Sequence, residues 1–234
     1  MKGFDVVLWD VDGTLLDFSA AERAAMISLF RDFDMGECDE EMLSRYSEIN
    51  KKYWRMLELG EMTKPQILKG RFEEFFMKEG IDRAPCPEEF NRLYQLRMGD
   101  TIVFCDNSRE IVSSLRGRVK QYAASNGTVA AQTKKLSRSG FDALLDGVFL
   151  SEDLGYEKPA VQFFDLIFRA IGPVDKNRVI MIGDSLTGDI AGGNRSGIKT
   201  CWYNPSGLIN ETEAAPDYEI NDLHEVMPIL EGSL

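Results

Sequence analysis

The chain has 234 residues, of which 44% are hydrophobic and 28% charged, and its net charge is −12 at pH 7. This length and composition are typical of a soluble globular protein with a core and a second, inserted or appended unit. The negative charge argues against a broad basic surface for a nucleic acid polymer or an anionic membrane. We therefore expect a small-molecule ligand, and an anionic one would need a local metal ion or lysine.

The four cysteines are widely spaced and form no Cys-x-x-Cys pair, which is typical of reduced thiols in a cytoplasmic protein. No apolar stretch approaches the ~18 residues that a membrane span requires. Because a strand is predicted almost at the first residue, we expect no signal peptide. The expected protein is cytoplasmic, without a membrane partner, and a monomer or a small homo-oligomer.

The first apolar run, residues 4–9, has the length and the branched and aromatic content of a buried strand. It ends in Asp10 and Asp12, at the point where open α/β sheets bind their ligands. Two carboxylates about 4 Å apart repel by roughly 4 kcal/mol at an effective dielectric near 20. A cation or a shared proton would offset this repulsion; a solvated Asp-Gly turn is the alternative for this stretch alone.

Residues 17–97 show helical periodicity throughout, with about four amphipathic segments. Thr63 and Gln66 fit a capping box, and Gly80 can end the helix that they begin. A crossover between adjacent parallel strands usually needs a single helix. About eighty residues are far too many for that purpose, so residues 17–97 are predicted to form an inserted α-helical domain. Residues 1–16 and 98–234 then form the core.

Strands and helices alternate in the rest of the chain. The predicted strands are residues 118–124, 147–150, 178–182 and 199–203, and the predicted helices include one that begins at Pro159 and a last one capped by residues 222–225. This alternation is typical of a parallel sheet covered by helices on both faces. The predicted fold class is therefore α/β, with a Rossmann-like sheet and an inserted helical domain.

Four polar clusters follow strands or precede helices. They are Asp10 with Asp12, Ser125 with Asn126, Lys158 before Pro159, and Asp184 with Asp189. In a parallel sheet all four would meet at one edge. Each alone has an ordinary explanation as a helix cap, a surface loop or first-turn acids. Together and in this order they resemble the four motifs of the haloacid dehalogenase (HAD) superfamily of phosphohydrolases, and the insertion lies where that superfamily has its α-helical cap.

This resemblance implies a HAD-like fold and a Mg²⁺-dependent phosphomonoesterase that works through an aspartyl-phosphate. Asp10 would be the nucleophile and Asp12 the general acid and base, while Lys158 would neutralise charge beside the phosphate. The implied Mg²⁺ site is formed by Asp10, Asp12 through its backbone carbonyl, Asp184 and Asp189, the last through water or by orienting Lys158. The implied phosphate-binding residues are Gly13, Thr14, Ser125, Asn126 and Lys158.

The charges of such a site favour a protonated Asp12 at the moment of attack. Four ionised aspartates and a phosphate dianion carry more negative charge than Mg²⁺ and Lys158 can neutralise. A proton on Asp12 removes one negative charge and is the proton that the leaving oxygen needs. The sole histidine, His224, rules out a Ser-His-Asp triad that uses another histidine and any two-histidine metal site.

The inserted domain is similar to the cap of a bacterial branch of nucleoside 5'-monophosphatases that act on pyrimidine and noncanonical nucleotides. The similarity lies in Asn50, Lys51 and Trp54, the turn at residues 60–63, and Arg71 with Phe72. Trp54 could stack on a base and Lys51 could contact an acidic or carbonyl edge. Most other cap aromatics at helical spacing are expected to pack in the interior.

Three alternatives remain open at this point. A sugar-phosphate or phosphoglycolate phosphatase would use the same chemistry. A 2-haloacid dehalogenase needs neither a metal nor an acid two residues after the nucleophile, so Asp12 and the pair Asp184 and Asp189 argue against it. A metal-binding regulatory protein without catalysis is disfavoured because every expected catalytic residue is present.

Overall fold

The computed structural model describes residues 3–82 and 84–232. Within these residues, the strands are β1 (Val6–Trp9), β2 (Lys120–Ser125), β3 (Gly147–Leu150), β4 (Val179–Gly183), β5 (Lys199–Tyr203) and β6 (Tyr218–Ile220). They form one parallel sheet in the order β3-β2-β1-β4-β5-β6. The first strand of the chain thus lies inside the sheet, with Val6 beside Lys120 on one side and Val179 on the other. The predicted α/β fold class is confirmed.

The strands β1 and β4 are buried along their whole length. Side chains alternate between the two faces of a sheet. Val7 and Trp9 accordingly pack in one apolar cluster, whereas Val6 and Leu8 pack in another that contains Phe164. Because helices cover both faces, continuous apolar runs rather than alternating ones are found in these strands.

Four helices form the insertion and six shorter ones belong to the core, as far as the structure describes the chain. The insertion contains α1 (Phe18–Asp32), α2 (Glu40–Glu58), α3 (Lys64–Glu79) and α4 (Pro87–Met98). The core contains α5 (Ser108–Ser114), α6 (Val129–Ser139), α7 (Ser151–Leu154), α8 (Val161–Ile171), α9 (Ala191–Ser196) and α10 (Val226–Glu231). No helix of the described residues combines the length and the apolar content that crossing a bilayer requires.

The helices α1 to α4, which we call the cap, pack around an apolar cluster of their own. At its centre, Tyr46 stacks on Phe72 with ring centroids 5.2 Å apart, and Phe75 lies edge-on to Tyr46. One residue of the core, Ala131 of α6, also belongs to this cluster. The division of the chain at residues 17 and 97 stays a prediction, which the separate cluster supports.

The two segments that join the cap to the core run side by side next to β1. The backbone N–H of Asp17 donates to the carbonyl of Val103 over 2.9 Å, and that of Cys105 donates to the carbonyl of Leu15 over 3.1 Å. This short antiparallel pairing places the cap over the carboxyl edge of the sheet, next to Asp10.

The structure corrects one local prediction and adds one strand. The helix expected to begin at Pro159 begins at Val161, because the Ala160 N–H closes a turn onto the carbonyl of Glu157 and leaves Ala160 as the extended N-cap. The strand β6 was not predicted, since its three residues are too few to show a period. The capping box of Thr63 with Gln66 and the left-handed Gly80 at the end of α3 are confirmed.

Candidate active site

Three aspartates meet at the carboxyl edge of the sheet. Asp10 directly follows β1, Asp184 directly follows the adjacent β4, and Asp189 lies in the π-helical turn Leu186–Ile190. One carboxylate oxygen of each lies within 4.8 Å of the others. Hard oxygen donors of this kind suit Mg²⁺, and their mutual repulsion is offset when a divalent cation is held among them.

Lys158 joins two of these carboxylates. Its ammonium donates to Oδ1 of Asp10, to Oδ1 of Asp189 and to the carbonyl of Ala124, each over 2.6 Å. Burial alone would lower the pKa of Lys158, but the two carboxylates outweigh it and raise that pKa above its usual value. The lysine is therefore a fixed positive charge at the bottom of the site.

Burial and crowding disfavour the ionised forms of the aspartates. Burial raises the pKa of Asp10 to about 7, with Lys158 opposing the rise and the charge of Asp189 adding to it. Desolvation by the surrounding protein, followed by the charges of Asp10 and Asp189, raises the pKa of Asp184 well above its usual range, although Asp184 itself is exposed. Burial also raises the pKa of Asp189. A bound cation would reverse this preference, so the donor set fits a metal ion.

Asn126 fixes the backbone of Lys158. Its side-chain amide donates to the Lys158 carbonyl over 2.9 Å and accepts from the Lys158 N–H over 2.8 Å. The neighbouring Ser125 ends β2, is buried, and accepts from the N–H of Gly127 over 3.0 Å. The predicted phosphate contacts of Ser125 and Asn126 stay predictions. The clamp on Lys158 is an additional role that the sequence analysis missed.

Gly13 and Thr14 pack against Asp184. Gly13 has a φ of +90°, and a Cβ at this position would lie 2.6 Å from Oδ2 of Asp184. The hydroxyl of Thr14 donates to Oδ1 of the same carboxylate over 3.3 Å. The structure thus assigns both residues to the support of Asp184, while their predicted contacts with phosphate stay predictions.

Asp12 faces α6 of the core. Lys135 forms an ion pair with its Oδ1, and the amide of Gln132 donates to its Oδ2. Both partners are buried and lie three residues apart, on one face of α6. The sequence analysis missed them, although two long polar residues at this spacing beside Ala131 and Leu136 were a usable signal. Their contacts orient the predicted general acid.

The cap adds an acid that the sequence analysis also missed. Glu58, at the end of α2, accepts from the hydroxyls of Ser185 and Thr187 in the loop between Asp184 and Asp189. Burial raises the pKa of Glu58, and the two hydroxyls oppose the rise.

The three residues predicted to select the substrate lie in different surroundings. Trp54 lines a cavity that also contains Asp12. Asn50 is buried behind it and hydrogen-bonds Arg71 and Glu22, each over 2.7 Å. Lys51 is exposed and is not part of that cavity wall among the described residues. The structure therefore brings only Trp54 to the cavity, and the roles of all three stay predictions.

The sequence and the fold of this chain are similar to those of known proteins over nearly its whole length. The chain is 35% identical to the HAD-hydrolase YfnB of Bacillus subtilis (strain 168) over 98% of this chain and 97% of that protein. It is 34% identical to the pyrimidine 5'-nucleotidase PynA of Streptococcus pneumoniae (strain R6), over 99% and 97% of the two chains. A crystal structure of YfnB bound to magnesium superposes with a TM-score of 0.91, covering 98% of this chain and 99% of the other.

A further relative, the pyrimidine 5'-nucleotidase YjjG of Escherichia coli (strain K12), is 28% identical over 97% of this chain and 98% of its own. The family model described as a haloacid dehalogenase-like hydrolase matches residues 4–197. This range begins just before β1 and includes the cap and all three clustered aspartates. The chain belongs to the haloacid dehalogenase-like hydrolase family.

Proposed function

We propose that the protein is a Mg²⁺-dependent phosphomonoesterase that forms an aspartyl-phosphate and acts on nucleoside 5'-monophosphates, with pyrimidine or noncanonical bases. The broad class, a phosphoric monoester hydrolase, follows from the family and from relatives named as pyrimidine 5'-nucleotidases. The observation that carries the proposed chemistry is Lys158, whose ammonium joins Asp10 to Asp189 beside Asp184.

Asp10 is the proposed nucleophile. Lys158 holds Oδ1 of this carboxylate, and Oδ2 attacks phosphorus in line as the bond from phosphorus to the ester oxygen breaks. Asp12 delivers a proton to the departing oxygen and then accepts one from the water that attacks the aspartyl-phosphate. Phosphate leaves, and both carboxyl groups return to their initial states.

The metal would be held by Asp10, Asp184 and the backbone carbonyl of Asp12, with Asp189 orienting Lys158. When bound, Mg²⁺ supplies positive charge to the phosphoryl oxygens and to the crowded carboxylates. The magnesium in the YfnB crystal structure supports this choice of ion.

The nucleotide preference rests on the relatives and on Trp54. PynA and YjjG are both named as pyrimidine 5'-nucleotidases. Trp54 and the proposed general acid Asp12 lie in the wall of the same cavity. An aromatic ring at this place can stack on a base.

A panel of phosphorylated metabolites, assayed by phosphate release with Mg²⁺ and with EDTA, tests the proposal. We expect pyrimidine nucleoside monophosphates to be hydrolysed faster than sugar phosphates and phosphoglycolate, and EDTA to abolish the activity. Faster turnover of sugar phosphates would overturn the nucleotide assignment. Activity that survives EDTA would overturn the proposed Mg²⁺ dependence.

A further inference from the structure

The two carboxylates that would react with a phosphate ester each lie against a lysine of their own. Lys158 holds Asp10 and belongs to the four motifs, whereas Lys135 holds Asp12 and belongs to none of them. Among the described residues, Asp12 is the only carboxylate within ion-pair distance of Lys135. The charge of this second lysine is therefore directed at Asp12 alone.

Lys135 is enclosed more completely than its partner. The side chain of Lys135 is 2% exposed, whereas that of Asp12 is 19% exposed. Phe18, the first residue of α1, lies against the ammonium with its ring centre 5.3 Å away. Gln132 is fully buried and donates to the other oxygen of Asp12. Both donors thus reach the carboxylate from the protein interior, and part of the carboxylate stays accessible.

The helix that carries both donors is anchored to the cap. The hydroxyl of Thr128, the N-cap of α6, accepts from the N–H of Ala131 over 3.3 Å. The same hydroxyl donates to the side-chain oxygen of Gln95 on α4 over 2.9 Å. Because Ala131 also packs in the apolar cluster of the cap, the first turn of α6 is held on two sides. The positions of Lys135 and Gln132 are fixed with it.

Stability alone does not explain a lysine at this place. Burial of an ammonium costs free energy that a single ion pair often fails to offset, and apolar side chains of similar volume are frequently as stable or more stable. Two donors on two oxygens do, however, fix the plane of the Asp12 carboxyl group. A carboxylate has about four lone-pair sites, so each oxygen keeps one for a proton or for a substrate.

We propose that Lys135 and Gln132 position the carboxyl group of Asp12 for proton transfer to the departing oxygen, and that they thereby fit the site to alkyl phosphates. In this step the O–H bond of Asp12 breaks and a new O–H bond forms on the ester oxygen, while the bond from phosphorus to that oxygen breaks. Lys135 and Gln132 keep their own protons. This inference rests on the proposed function and adds the residues that serve basic leaving groups.

The test is a single-turnover experiment with the enzyme in excess, which isolates the step that breaks the ester bond. Uridine 5'-monophosphate is an alkyl phosphate, whereas 4-nitrophenyl phosphate has a weakly basic leaving group that departs without a proton. The rates of uridine and of nitrophenolate release are measured for the wild type, Lys135→Met and Gln132→Met. Each variant should lower the ratio of the uridine rate to the nitrophenolate rate at least about tenfold, since general acid catalysis contributes roughly 10²–10⁴-fold.

Lys134→Met is the matched control. Lys134 is the neighbour of Lys135 on α6, but its ammonium pairs with Asp100 over 2.6 Å. We expect this variant to keep the wild-type ratio. An unchanged ratio in both Lys135→Met and Gln132→Met would overturn the inference, whether the two rates fall together or not at all. If Lys135→Met does not fold, as judged by circular dichroism, Gln132→Met decides.

The wild type separates this inference from the proposed function. A wild type that hydrolyses no phosphomonoester with Mg²⁺ overturns the proposed function and this inference with it. An active wild type whose ratio is unchanged in the variants overturns this inference alone. If the wild type hydrolyses a different alkyl phosphate but not uridine 5'-monophosphate, that ester takes its place in the comparison.

Discussion

Oε2 of Glu58 lies 3.0 Å from the hydroxyl of Ser185, the residue that directly follows Asp184. This contact joins the end of α2 in the cap to the loop that carries two of the clustered aspartates. At the start of the next cap helix, the ammonium of Lys64 donates to the Ser151 hydroxyl over 2.6 Å. The turn between α2 and α3 is thus attached to the core at both ends, so cap position and the order of the Asp184 loop are coupled.

Glu58→Ala removes the contacts with Ser185 and Thr187. We expect kcat/KM to fall about tenfold or more, because hydrogen bonds to charged groups contribute about 1.5–3 kcal/mol each and their loss lets the cap move away from the core. Steady-state kinetics measures the fall, and small-angle X-ray scattering measures the increase in radius of gyration. Glu61→Ala, on the same turn and exposed, should change neither; equal behaviour of the two variants would refute the coupling.

Asp12→Asn and Asp184→Asn should separate proton transfer from metal binding. The side chain of Asp12 contacts Lys135 and Gln132, whereas the side chain of Asp184 belongs to the carboxylate cluster. We expect Asp12→Asn to lower kcat roughly 10²–10⁴-fold while Mg²⁺ affinity changes little. Asp184→Asn should weaken Mg²⁺ affinity by at least about tenfold. Calorimetric titration measures the Mg²⁺ affinity of both variants. Equal losses of Mg²⁺ affinity in Asp12→Asn and Asp184→Asn would contradict the assigned roles.

Asn126→Ala removes both hydrogen bonds to the Lys158 backbone. Two buried backbone groups then lose their partner, and each loss costs about 1–3 kcal/mol of the free energy of unfolding. We also expect kcat to fall about tenfold, since the ammonium of Lys158 is less well placed on Asp10. Thermal denaturation and kcat are measured for this variant and for a control variant, Asn177→Ala, which changes an exposed asparagine. A variant with normal kcat would show that Lys158 is positioned without this clamp.

Glu22 gives the cap a defined pH dependence. Burial raises its pKa, and hydrogen bonds from Ser47 and Asn50 and the charge of Arg71 oppose the rise. Because the folded state prefers the protonated form, wild-type stability falls as pH rises from about 4.5, the usual pKa of a glutamate, through the raised folded value. In the Glu22→Gln variant this side chain is uncharged at every pH, so the variant does not lose stability in this way.

The measured quantity is the Tm of Glu22→Gln minus that of the wild type. We expect this difference to increase from pH 4.5 upward and to level off above the folded pKa of Glu22. Other titrating groups affect both proteins and cancel in the difference. The phenol of Tyr94 also faces Glu22, and its pKa is raised by burial and lies outside this range. A difference that is constant or decreases with pH would contradict the assignment.

The sequence predicts the parts of the fold and site that depend on local order. Consecutive residues are enough to predict three elements, because apolar runs and a capping box mark them. These are the strand before Asp10, the strand before Asp184 and the helix that begins after Thr63. The parallel sheet then places its strand ends together, which explains why Asp10 and Asp184 could be paired from the sequence although they are far apart in it.

The partners of these residues could not be predicted in the same way. Lys135 reaches Asp12, and Glu58 reaches Ser185, only through the packing of helices against the sheet. The spacing of Gln132 and Lys135 on α6 signals a buried polar pair but does not identify its partner. The same limit applies to Asn50, whose side chain is turned toward Arg71 and Glu22 inside the cap. Which face a cap helix presents to the core is decided by tertiary packing.

The separate apolar cluster of the cap has a consequence for how such enzymes can diversify. The cap encloses its own apolar interior. It joins the core through one short pairing, between the segments at Leu15 and Asp17 and those at Val103 and Cys105. Because of both features, the helices between these segments can be exchanged between relatives as one unit. Ala131 is the exception, because this core residue packs inside the cap cluster. A chimaera would therefore keep the donor's side chain at position 131 together with the transplanted helices.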